Sequence, residues 1–180
     1  MLIRLKRFNP YLVTGMMLLA LVGCQSERQK RKHQLTTVRI HVQVNTYATN
    51  RTEVISVFRQ KPMTLIIEKE PFLGEGDLSE AKVVQAVGGF SIQLRFARQG
   101  ALLLEQYSAV NRGKHFAIFS QFPDQPGGPI NAGRWLAAPM ITQHIADGVI
   151  TFTPDASREE TEQIVLGLNN VAHELHNEPK

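Results

Sequence analysis

Cysteine is nearly absent from these 180 residues: Cys24 is the only one. A chain with one thiol cannot close an internal disulfide, and it has no set of thiolates for a zinc site. Stability must come from a hydrophobic core, for which 43% hydrophobic residues suffice in one compact domain. Acidic residues are missing from residues 1–23, which carry Arg4, Lys6 and Arg7. Also missing is an apolar run of the roughly 20 residues needed to cross a bilayer, since the stretch 11–22 is too short. Gly88-Gly89 and Gly127-Gly128 stand in turn contexts with no Lys-Ser/Thr after them, so no phosphate-cradling loop is expected. The basic balance is also thinner than it looks. Beyond residue 23 there are 17 basic and 16 acidic residues, a formal charge of +1, and a nucleic-acid partner is not expected.

What is present begins with order at the N-terminus. A basic segment is followed by a short apolar one and then by Leu21-Val22-Gly23-Cys24. This tetrapeptide resembles the lipobox of bacterial lipoprotein signal peptides. The resemblance implies export, lipid attachment to the Cys24 thiol, cleavage of residues 1–23 and acylation of the new amino terminus. Membrane lipid is therefore the first expected partner, because two or more acyl chains anchor stably where one is marginal. Residues 24–36 read as a tether, with Arg28, Lys30, Arg31 and Lys32 placed to meet anionic headgroups. Each such charge contributes on the order of 1 kcal/mol near a negative surface.

After the tether, 37–46 alternates, with Val38, Ile40, Val42 and Val44 on one face, the pattern of a half-buried strand. Further strands are predicted over 54–58 and 63–68, completing an N-terminal strand region, 37–70. A loop is expected over 71–77, then a hairpin of 82–86 and 90–96 around Gly88-Gly89. The spacing of Leu103, Tyr107 and Val110 beside Leu104 predicts a helix over 99–111 that Gly113 stops. Extended segments are predicted over 115–119, 136–141 and 148–153, with an exposed loop over 123–133. A last helix over 157–175 carries Ile164, Leu168, Val171 and Leu175 as its stripe, and Ser157 with Glu160 has capping-box spacing. The expected class is α+β: a single, mainly antiparallel, ferredoxin-like sheet with two helices on one face, over residues 71–176, plus the N-terminal strands and a 177–180 tail.

A family resemblance spans residues 63–172. Glu70-Pro71-Phe72-Leu73 with Asp77-Leu78 and Ala81, then Gly100-Ala101, Tyr107, Asn111, Gly113, Lys114, Ala117 and Ile118 are similar to the head subdomain of the first periplasmic domain of SecD. Ala138-Pro139-Met140-Ile141, Ile145, Gly148, Ile150, Phe152-Thr153 and Glu159-Glu160 continue the likeness. The resemblance implies that fold, an envelope location facing the periplasm, and contact with exported polypeptides. Most matched residues also have purely structural reasons, so they specify a fold rather than a reaction. SecD proteins carry several membrane helices after this domain, whereas this sequence ends at Lys180, so a complete translocase subunit is not expected. Phe119-Ser120-Gln121 stands where the family usually has an acidic residue.

Catalysis has little to rest on. His173-Glu174-x-His176 places two imidazoles on one helix face but lacks a third ligand, and no metal is expected. His41, His115 and His144 are dispersed, and Ser108 and Ser120 have no apparent base or oxyanion site. Neither catalytic residues nor a small-molecule cofactor are expected. The candidates for partner binding are Trp135, Arg134, Phe119 and Phe122, around the loop 123–133, because aromatic and Arg side chains anchor interfaces. Core burial of Trp135 is the competing reading. The sequence thus points to a lipid-anchored, non-catalytic module binding exported polypeptides. The alternative is an envelope assembly lipoprotein with one fixed protein partner, and a hydrolase or metal-dependent enzyme is an outlier.

Overall fold

The computed structural model describes residues 34–45, 49–125, 128–130 and 133–177. Cys24, the basic cluster at 28–32 and the 178–180 tail lie outside the described residues. In chain order the elements are β1 (Thr37–Val42), β2 (Thr52–Val57), β3 (Met63–Glu68), β4 (Leu73–Gly74), a 3-10 turn (Glu75–Asp77), β5 (Leu78–Ala86), β6 (Gly89–Phe96), α1 (Arg98–Val110), β7 (Phe116–Gln121), β8 (Arg134–Ala137), β9 (Val149–Phe152) and α2 (Arg158–Asn177).

The two helices and antiparallel ladders agree with the α+β class. The strands, however, are divided among three sheets instead of one. One is four-stranded in the order β4-β1-β7-β8, one is the β2-β3 hairpin, and one is three-stranded in the order β5-β6-β9. Backbone hydrogen bonds link the sheets at a few points, among them Val44 N–H to the Ile66 carbonyl at 2.9 Å. Gln43 bridges to Ile67 of β3, and the Asp155 N–H donates to the Leu136 carbonyl at 2.7 Å. A register irregularity between Ile118 and Phe119 marks the β7–β8 ladder, and irregularities of this kind bend a strand.

β1 is central. Val38, Ile40 and Val42 are buried while Arg39 faces solvent, as its alternation requires, and its residues pair with β7 from Thr37–Gln121 to Val42–Phe116. The strand assigned to an N-terminal region is therefore the second strand of the sheet that also holds β7 and β8. The main core joins β1, Leu73, Leu78, the inner residues of β6 and β9, Leu104, and Ile164 and Leu168 of α2. A second cluster of Ile55, Val57, Leu65 and Ile67 seats the hairpin on Ala117 and Ala138.

The helices show what the sequence pattern concealed. α1 buries Gly100, Leu104 and Ser108, while Val110 is 73% exposed and Leu103 and Tyr107 lie at the margin. The reason is close packing at Gly100, where a Cβ would stand 2.7 Å from the Asp77 Cβ, so this face must turn inward. Tyr107 instead stacks on Phe72, with ring centroids 4.1 Å apart. α2 starts with the expected capping box: the Glu160 N–H donates to Ser157 Oγ, and the Ser157 N–H to Glu160 Oε2 at 2.8 Å. Its inward residues are Thr161, Ile164, Leu168 and Ala172, leaving Leu175 half exposed.

The last residues of the expected tether are not solvated. Gln34 and Thr36 are buried across α2, where Gln34 Nε2 donates to the Gln163 carbonyl and Asn170 Nδ2 donates to the Gln34 carbonyl, both at 2.9 Å. Gly167 makes this crossing possible, since a Cβ there would clash with Thr36 Oγ1 and lie 2.8 Å from Thr36 Cβ. Gly167→Ala should therefore lower stability by about 1–3 kcal/mol, the usual cost of overpacking, despite Ala being the better helix former. A chemical-denaturation midpoint equal to or above wild type would show that the strap is not packed there.

Candidate functional site

The aromatic residues flagged around the 123–133 loop do not act as one patch. Phe122 is 1% exposed and belongs to the main core, with the Arg134 guanidinium 5.0 Å from its ring centre, so it offers no surface to a partner. Trp135 and Phe119 sit on adjacent strands and are half-buried, with ring centres 5.1 Å apart. Trp135 also meets the His41 ring edge-on at 5.3 Å and borders the hairpin cluster. It is thus a seat for the hairpin with one side left open.

His41 is buried and donates from Nδ1 to the Glu68 carbonyl at 2.9 Å, which ties β1 to the end of β3. Burial lowers its pKa below 6.5, helped by Arg39 and opposed by the bond to Glu68. Arg134 is held by Glu160 at 3.0 Å and by the Asp155 carbonyl at 3.2 Å. The same Asp155 receives Arg59 from the hairpin turn: the Arg59 backbone N–H donates to Oδ2 at 2.8 Å and its Nε to Oδ2 at 3.1 Å. Burial alone would raise the Asp155 pKa, but these bonds and the two guanidinium charges hold it below its ordinary value.

Between β8 and β9 the chain leaves a groove. The two edges touch at Asp155 and Leu136 and then separate. The wider part, about 590 Å³, runs between 139–142 and β9 under the segment 143–147. Its continuation is lined by Ala137, Ala138, Thr151 and Phe152, and reaches Phe58 at the foot of the hairpin. The segment above is fixed from below: the Ile145 N–H donates to Ser108 Oγ at 2.9 Å, and Ser108 donates to the Glu105 carbonyl.

That arrangement gives Ser108 a structural role. Ser120 likewise donates to the Thr37 carbonyl at 2.8 Å. His176 spends Nε2 on the Leu78 carbonyl, His115 spends Nδ1 on Gln43 Oε1, and His144 stands 3.2 Å from Glu105. Among the described residues no group of three His, Cys, Asp or Glu side chains is placed to hold a metal ion. What converges on this side of the molecule is aromatic surface, a hydrogen-bonded junction and open sheet edges. Sequence reasoning weighed His41 only as one of several dispersed histidines and passed over Arg59 and Asp155. The one available signal was Pro154-Asp155, a turn-forming pair directly after a strand.

A family model described as the SecDF P1 head subdomain matches residues 48–172. The chain belongs to the SecDF P1 head family. No curated protein matches it. Among solved structures, that of a membrane component SecDF that enhances protein export aligns with 20% identity and a TM-score of 0.53, covering 81% of this chain and 67% of that one. SecDF in a super-membrane-facing form aligns with 21% identity and the same TM-score of 0.53, covering 81% of this chain. The chain spans 20% of the length of that second structure, so the likeness is one of fold. The family model leaves out β1, which this head nevertheless uses as an inner strand.

Because Trp135 is the sole tryptophan, it reports on His41. The lowered pKa means that neutral His41 contributes stability fully present above 6.5 and lost as pH falls toward the folded-state value. Trp135 emission in the folded protein should titrate with a midpoint below 6.5, and His41→Gln should remove the step. A midpoint at or above that value, in the folded protein, would contradict the buried placement.

Proposed function

We propose that this head is a lipid-anchored, extracytoplasmic accessory module of protein export that holds polypeptide segments without catalysing a reaction. Membership of the SecDF P1 head family is the observation that carries the reading. Three further features support it. The sequence Leu21-Val22-Gly23-Cys24 supplies a lipidation site at Cys24. Arg28, Lys30, Arg31 and Lys32 follow that cysteine, placed to meet anionic headgroups beside such an anchor. Trp135 and Phe119 are half-buried on adjacent strands, and side chains of this type bind apolar segments with little loss of rotamer entropy.

On this reading the acyl chains hold the protein on the envelope membrane, facing the periplasm. Exported polypeptides or the translocon are the partners, with Trp135, Phe119 and Arg134 at the contact. Phe122 acts indirectly, by keeping Arg134 in place. The experiment is photocrosslinking in intact cells, with a photoreactive residue at position 135 and with Cys24→Ser as the unanchored control. The expected result is capture of several newly exported polypeptides or of translocon subunits, greatly reduced when Cys24 is replaced. Capture of one envelope protein in fixed ratio would instead establish the assembly role.

A further inference from the structure

The groove between β8 and β9 is bounded by two unpaired sheet edges, and their main-chain groups point into it. The Phe96 N–H donates to the Gly148 carbonyl at 3.0 Å, and the β6–β9 register places these two residues opposite each other. Hydrogen-bonded pairs alternate along an antiparallel ladder, so Ile150 and Phe152 also turn their main-chain groups toward β6. Val149, Thr151 and Thr153 turn theirs away. Asp147 Oδ1 accepts from the Val149 N–H at 3.1 Å. The outward groups of Thr151 and Thr153 have no main-chain partner among the described residues. On the opposite wall, Ala137 pairs with Ile118 and the Pro139 carbonyl accepts from Phe116, which leaves the main chain of Ala138 facing the groove.

We infer that this groove takes an extended, uncharged polypeptide segment as an added β-strand, with Thr151 of β9 and Thr153 just beyond its end supplying the main-chain hydrogen bonds. This deepens the proposed function and rests on it. The occupant follows from the chemistry of the walls. Residues 137–141 and 149–153 include no Lys, Arg, Asp or Glu, and every residue lining the part of the groove beside Thr151 and Thr153 is uncharged. A charged segment would lose hydration there with no counter-charge, whereas a neutral one exchanges water for backbone pairing. The side chains beside the edge are small or flat: Ala137, Ala138 and Pro139 on one wall, Thr151 and Phe152 on the other. Main-chain recognition against such walls accepts many sequences, as an export accessory requires. The groove is also preformed. Ser108 holds Ile145, and Arg112 Nη2 donates to the Thr142 carbonyl at 3.2 Å, so little ordering cost falls on binding.

The test replaces the donors without touching the ladder. In Thr151→Pro/Thr153→Pro both outward N–H groups are lost, and proline is tolerated at edge positions whose N–H faces outward. Thr151→Val/Thr153→Val keeps the N–H groups and changes only the side chains. The probe is a fluorescein-labelled eight-residue peptide of alternating Val and Thr, followed by anisotropy. Two lost main-chain bonds predict binding weaker by about tenfold in the proline variant and near wild type in the valine variant. In the wild-type protein the same peptide should shift the amide resonances of Thr151 and Thr153, a readout that does not depend on the proline variant folding. Equal binding by the folded proline variant, or peptide-induced shifts confined to other strands, would overturn the inference. Shifts at Thr151 that appear with protein concentration alone would overturn it in favour of a second copy of the chain. Failure of the peptide to bind, with export clients still captured at position 135, removes strand addition and leaves the proposed function. Failure of both removes the two together.

Discussion

Everything on the functional side of this molecule depends on Asp155. Its amide bonds the Leu136 carbonyl of β8, its carboxylate takes the backbone and side chain of Arg59 from the hairpin turn, and its carbonyl receives Arg134. It stands between β9 and α2, so one residue touches all three sheets and the approach to a helix. The ion pair is open on its Arg59 side, 58% accessible, while the Asp155 side chain is 17% accessible, and a pair screened by solvent on one side adds little stability. Its importance is geometric. The backbone bonds fix where β8 and β9 touch, and hence where they part.

The division into three sheets is what gives the fold its open edges. β8 and β9 are end strands of separate sheets, and the groove lies between them. Natural proteins usually blunt such edges with charges, bulges or covering loops. Here the edge strand β9 is short, and the segment 143–147 lies above only part of it, leaving Thr151 and Thr153 uncovered. Stability is supplied elsewhere, by the core under β1, β6 and α2, so the edge can stay unpaired without loss of the fold.

Much of this was legible in the sequence. Alternation located β1, an apolar run before Pro71 located β3, Gly88-Gly89 located the hairpin of β5 and β6, and Ser157 with Glu160 located the start of α2. Those signals are local, so a pattern of a few residues contains them. The rotation of α1 was not legible, because it depends on Gly100 meeting Asp77, a contact between residues 23 positions apart. Burial of Gln34 and Thr36 likewise depends on Gly167, more than a hundred residues away, and nothing in the polar run before β1 announces it. Of the candidate binding residues, Trp135 and Phe119 reach the surface, while Phe122 is enclosed by strands and helices far from it in sequence. The groove was invisible for the same reason: Thr151 and Thr153 read as ordinary strand residues, and only the sheet order shows that no strand among the described residues pairs with their outer side.

The central claim is that β9 is an edge held open in the free protein. Amide hydrogen exchange resolved by residue measures this directly. The account predicts slow exchange at Ile150 and Phe152, whose N–H groups face β6, and exchange faster by orders of magnitude at Thr151 and Thr153. Uniform slow exchange from 150 to 153 in the free monomer would mean that β8 and β9 are paired, and it would contradict the account.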